Sequence, residues 1–170
     1  ALAVTQFEAT DARRAFPCWD EPAFKAVFQI TLVVDDALAA ISNTQIADVR
    51  PAVGRAKNAV TFAPTIPMST YLVAFVIGAL EPTELVQADG VPIRVWAVPG
   101  KGCLGRFALQ VAAFSLRFFR EYYAVPYPGD KLDLIAIPDF AFGAMENLGA
   151  ITFRETALLV DEGKATHSEQ

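Results

Sequence analysis

One acidic side chain stands alone in a run of small residues, Gly143-Ala144-Met145-Glu146-Asn147. Glycines at 143 and 149 bracket it, and a residue without a Cβ lets backbone lie close against a ligand. A small-residue edge with one carboxylate suits an extended peptide: backbone pairs with backbone, and the acid holds the charged end. Far from it in sequence, Gln6 and Glu8 stand two residues apart. Alternation over Val4 to Glu8 puts both on one face of a strand and Phe7 on the other. An amide oxygen beside a carboxylate can jointly accept hydrogen bonds from an ammonium group. The plainer reading of each is a solvated loop or strand face, and spacing alone does not separate the two.

Other chemistries find no residues to carry them. The sequence holds no Walker loop, G-x-G-x-x-G or G-x-S-x-G. His167 is the only histidine and lies in a polar tail, Ala165 to Gln170, so a His-based triad and a zinc site within the 170 residues both lack partners. Cys18 and Cys103 have no metal spacing and read as buried free thiols. A net charge of −5 and a pI near 4.8 argue against nucleic acid and against an anionic membrane surface. The longest apolar run, Tyr71 to Leu80, is about half of a bilayer span. With 54% hydrophobic and 19% charged residues, the chain has ample material for a core.

The elements that must position these residues change character along the chain. Phe24 to Val34 alternates as a half-buried strand, and further strands are expected over Ala39 to Ile46, Ala59 to Ala63 and Thr70 to Leu80. Short strands separated by turn signals describe an antiparallel sandwich. The block Arg13 to Pro22, with prolines, aromatics and opposite charges, reads as structural. Residues 81–90 suit a boundary or hairpin, with Asp89-Gly90 as its turn. Beyond it come a strand over Val91 to Val98 and a helix over Leu104 to Tyr123. The helix's stripe of Phe107, Val111, Phe114, Phe118 and Tyr122 is expected to face the core. A strand over Leu132 to Ile137 leads into the Gly143 segment, followed by Ala150 to Phe153 and Ala157 to Val160.

Four blocks in one order give the chain a family likeness. Thr5-Gln6-Phe7-Glu8 with Ala12 to Lys25, Pro67 to Phe75, Ile137-Pro138-Asp139-Phe140, and Gly143 to Asn147 together resemble the zinc aminopeptidases that include the alanyl and puromycin-sensitive enzymes. The likeness covers essentially the whole chain. It implies a mixed fold: an antiparallel β-sandwich-like N-terminal domain, present in part as residues 1–83, then the α+β start of a thermolysin-like catalytic domain, residues 84–170. By matching positions it implies that Gln6, Glu8 and Glu146 hold the free α-ammonium of a peptide substrate, while backbone around Gly143, Ala144 and Met145 pairs with the substrate and Asn147 completes the motif. The family's zinc ligands and general base, in H-E-x-x-H and a later Glu, are expected downstream of Gln170. This chain should therefore hold recognition residues, no catalytic residue and no metal ligand, and be inactive alone. Competing readings are a non-catalytic scaffold of the same fold and a plain β-sandwich interaction domain.

Overall fold

A computed structural model describes residues 2–54, 56–161 and 163–165. His167 and its polar neighbours lie outside the described residues. The chain forms two compact units, Ala1–Ala79 with Glu146–Ala150, and Leu80–Met145 with Ile151–Gln170.

In the first unit every pairing is antiparallel. Its elements are β1 (Leu2–Val4), α1 (Ala12–Ala15), β2 (Lys25–Ala26), β3 (Thr31–Asp35), β4 (Ala39–Ile41), β5 (Ile46–Pro51), β6 (Lys57–Phe62), β7 (Met68–Ser69) and β8 (Val76–Gly78). They make two three-stranded sheets, ordered β1-β8-β4 and β3-β6-β5, and the short pair β2-β7. Val34, Val60 and Phe62 of one sheet share a core with Phe7, Met68 and Val73, and Ala40 and Ile77 of the other sheet pack against it. That common core is what makes the unit sandwich-like.

Three expected strands are shorter than alternation suggests. Phe24 to Val34 divides into β2 and β3, because the Phe28 N–H donates to the Thr65 hydroxyl at 2.9 Å instead of to a ladder. Ala39 to Ile46 is cut after Ile41, where Ser42 and Asn43 turn their side chains onto distant backbone. Thr70 to Leu80 opens with a 3₁₀ turn at Thr70–Leu72 and is strand only over β8. Its Val73, Ala74 and Val76 are nonetheless buried, as a sheet-core run should be.

The second unit mixes helix and sheet. It contains β9 (Glu81–Pro82), β10 (Val86–Ala88), β11 (Val91–Ala97), α2 (Arg106–Tyr123), β12 (Leu132–Ile137), β13 (Ala144–Met145), β14 (Ala150–Arg154) and α3 (Glu155–Leu158). The sheet runs β10-β11-β12-β14-β13, with β9 also on β11. Asp89 and Gly90, at φ of 51° and 80°, make the two-residue turn between β10 and β11 that an Asp-Gly pair favours. β11 and β12 are parallel, so the chain must cross over between them, and α2 is that crossover. All six residues of β12 are buried.

The helix lies where its periodicity puts it but turns another face inward. Leu109, Ala113 and Leu116 are its buried residues, whereas Val111, Phe114, Phe118 and Tyr122 of the expected core stripe are exposed. Two apolar stripes share the helical period, and Leu109, Ala113 and Leu116 are the ones in the core cluster with residues of β10, β11 and β12. The aromatics stack on one another instead, Phe114 on Phe118 at 5.9 Å and Phe118 on Tyr122 at 5.8 Å. Both cysteines are free. Cys103 is exposed on the 3₁₀ turn before α2 and Cys18 is only half-buried, so neither is the buried thiol expected. Among the described residues no helix is long and apolar enough to cross a membrane.

Candidate functional site

Gln6 and Glu8 lie just past the end of β1, in the loop leading to α1, rather than on a strand face. The alternation survives without the strand because Phe7 is pinned. Its ring is buried, edge-on to Phe16 at 5.9 Å and to Phe75 at 5.8 Å. Its carbonyl accepts the Asp11 N–H at 2.9 Å. On the preceding side the Thr5 N–H donates to the Phe75 carbonyl at 3.1 Å, and the Phe75 N–H to the Thr5 hydroxyl at 2.9 Å. With Phe7 held inward, its neighbours are turned away from the core: Gln6 is half-buried and Glu8 exposed. Gln6 Oε1 is itself buried and has no hydrogen-bond partner among the described residues. Glu8 and Glu146 make no ion pair among them either.

The Arg13 to Pro22 block braces this loop. Asp20 is buried and accepts from the Arg13 guanidinium and the Arg13 N–H, each at 3.1 Å, and from the Thr70 hydroxyl at 2.8 Å. Burial alone would raise the Asp20 carboxyl. The Arg13 N–H, the Thr70 hydroxyl and the Arg13 charge outweigh it and hold the pKa below the ordinary carboxylate value.

Gly143, Ala144 and Met145 belong to the second unit. β13 pairs with β14 through Ala144↔Phe153 and Met145↔Thr152, and it ends the strand order, so its other edge pairs with no described strand. Ala144 is exposed there while Met145 is buried. Arg154 fixes the approach to this edge. Its N–H donates to the Gly143 carbonyl at 2.9 Å, its Nε to the Phe140 carbonyl at 3.0 Å, and its Nη2 to the Ala141 carbonyl at 2.8 Å. The two bracketing glycines turn out to differ. Gly149, at φ +76°, closes a turn in which the Ala150 N–H donates to the Asn147 carbonyl at 3.0 Å, a conformation that favours glycine. Gly143 has no left-handed φ, and a Cβ built on it meets nothing within 4 Å.

Glu146 to Ala150 group with the first unit. Glu146 is exposed, Asn147 is buried, and Leu148 is half-buried against the cluster that contains Phe7. The Leu148 carbonyl accepts from Asn43 Nδ2 at 2.9 Å. Gln6 and Glu8 flank one residue of that cluster, Phe7, and Glu146 stands two before another, Leu148. Asn43 and Arg154 are absent from the sequence reading. Both act on backbone carbonyls, which leave no trace in side-chain pattern.

Among the described residues no group of three or more His, Cys, Asp or Glu is placed to hold a metal ion. The described side chains therefore do not by themselves make up the zinc site that the family likeness implies.

Comparison with known proteins agrees with the order of these parts. Residues 1–72 match the Peptidase M1 N-terminal domain and residues 107–170 the Peptidase family M1 domain. The chain is 54% identical to Aminopeptidase M1-A of Oryza sativa subsp. japonica, over 95% of this chain and 18% of that protein. It is 52% identical to Aminopeptidase M1 of Arabidopsis thaliana, over 99% and 19%. With the puromycin-sensitive aminopeptidase of Caenorhabditis elegans the identity is 49%, over 95% and 17%. The chain thus spans less than a fifth of these relatives' length. Matched in both domains and along nearly all of its residues, it belongs to the peptidase M1 family.

Proposed function

We propose that this chain is the substrate-reading part of a metalloaminopeptidase that removes N-terminal residues from peptides. Residues 1–83 would be the C-terminal part of the β-rich N-terminal domain and residues 84–170 the beginning of the catalytic domain. The observation that carries the reading is a set of acceptors without a partner among the described residues: the buried Gln6 Oε1 together with Glu8 and Glu146, neither of them ion-paired there. Two carboxylates and an amide oxygen offer acceptors only, and a peptide's α-ammonium is a cation whose donors would match them. The unpaired edge at Gly143 to Met145 supports the rest, since an extended peptide can add to it by backbone hydrogen bonds. An aminopeptidase must count one residue from a positive chain end. Acceptors for the ammonium are what such a count requires. The zinc that the family likeness implies would take its ligands from outside the described residues, so this chain contributes binding and orientation.

The test uses the full-length protein that carries this chain. It should hydrolyse aminoacyl amides and spare their N-acetylated forms. Glu146→Ala removes one of the acceptors proposed for the substrate's ammonium. It should lower kcat/KM by roughly two to three decades on free-amine substrates. An unchanged rate would refute the anchor, and a wild-type protein that hydrolyses neither substrate would favour a binding scaffold.

A further inference from the structure

The side chain of Asn43 is buried in the first unit, and both halves of its amide are used. Nδ2 donates to the Leu72 carbonyl at 2.7 Å and to the Leu148 carbonyl at 2.9 Å, and Oδ1 accepts the Ala74 N–H at 3.0 Å. The adjacent Ser42 hydroxyl donates to the Ala74 carbonyl at 2.8 Å, so the 72–74 backbone is gripped at three groups. One residue further on, Phe75 exchanges hydrogen bonds with Thr5, the residue before Gln6. Leu148 lies two residues after Glu146. A single amide therefore ties the backbone that fixes Gln6 and Glu8 to the turn that follows Glu146.

We infer that Asn43 is a positioning residue, setting the distance between Glu146 and the Gln6–Glu8 pair and through it the preference for a free amine. The inference rests on the proposed function, because it assigns the geometry of that same anchor. Asparagine suits the task chemically. It offers two donors and an acceptor in one plane without charge, and the three backbone groups it meets are two acceptors and a donor. A hydrophobic side chain of similar size would leave those groups buried and unpaired.

The test compares, in the full-length protein, inhibition by an aminoacyl compound with inhibition by its counterpart lacking only the α-amino group. Wild type should favour the amine. Asn43→Ala should shrink that preference by at least about tenfold, through the amine-bearing compound alone, because displacing the anchor by a fraction of its length spoils convergence on the ammonium. Melting temperature is recorded alongside. A variant whose Tm falls while the preference ratio below Tm stays at the wild-type value overturns the inference and makes Asn43 a packing residue. Where Asn43→Ala does not fold, Asn43→Ser, which keeps one donor in a smaller side chain, is judged by the same ratio. A wild-type protein indifferent to the amine overturns the proposed function itself, and the inference with it.

Discussion

At Gly143 the fold makes no demand for glycine: the backbone is not left-handed and an added methyl touches nothing. Nothing in the described fold accounts for a glycine at that position. Gly143→Ala should leave unfolding free energy within about 0.5 kcal/mol of wild type. In the full-length protein it should raise KM for peptides, since the methyl would occupy the path of the substrate backbone. Calorimetry and steady-state kinetics check the two halves separately, and a destabilised variant with unchanged KM would return Gly143 to a structural role. The carboxylates and Gln6 could be nominated from sequence because their chemistry is in their side chains. The end of β1 at Val4 was not, because Thr5 to Phe7 are held by Phe75, some 70 positions away. Asn43 was still less legible, since its partners are main-chain carbonyls 29 and 105 positions along the chain.

Among the elements, β12 followed its sequence closest, since a run of Leu132 to Ile137 that is apolar at every position but Asp133 admits few alternatives to a central strand. Its one charged residue is accommodated by two neighbours. Asp133 accepts from Lys131 Nζ at 2.7 Å and from Trp96 Nε1 at 2.8 Å, linking β12 to β11 across the parallel pairing. Burial pushes the Lys131 ammonium below the usual lysine value, and Asp133 works against that. Asp133→Asn should therefore destabilise the protein by on the order of 3 kcal/mol, by removing the carboxylate that balances a buried cation. A urea titration that shows no shift in midpoint would contradict this account. The face of α2 was misread for a physical reason: both of its stripes are apolar at helical period. Periodicity locates a helix but cannot rank two apolar faces.

Over the whole 170 residues, the displaced stripe leaves a broad apolar surface. Phe114, Phe118, Phe119, Tyr122 and Tyr123 are exposed on α2, and the same helix borders an open apolar groove of about 900 Å³ in the second unit. Surface of this kind drives association in water. The chain expressed by itself should sediment as concentration-dependent oligomers at micromolar levels, and Phe114→Ser with Phe118→Ser should shift it toward monomer. A single monomeric boundary for the parent chain would count against this. The discontinuity of the first unit has a further consequence, in time rather than in space. Asn43 meets the Leu148 carbonyl across 105 positions, so the ribosome must add that many residues before the bond can form, roughly 5–20 seconds of synthesis. Closing so long a loop costs about 4 kcal/mol of chain entropy. The nascent sandwich therefore waits with one Asn43 donor unmet, and Glu146–Ala150 is the last part of its own unit to arrive.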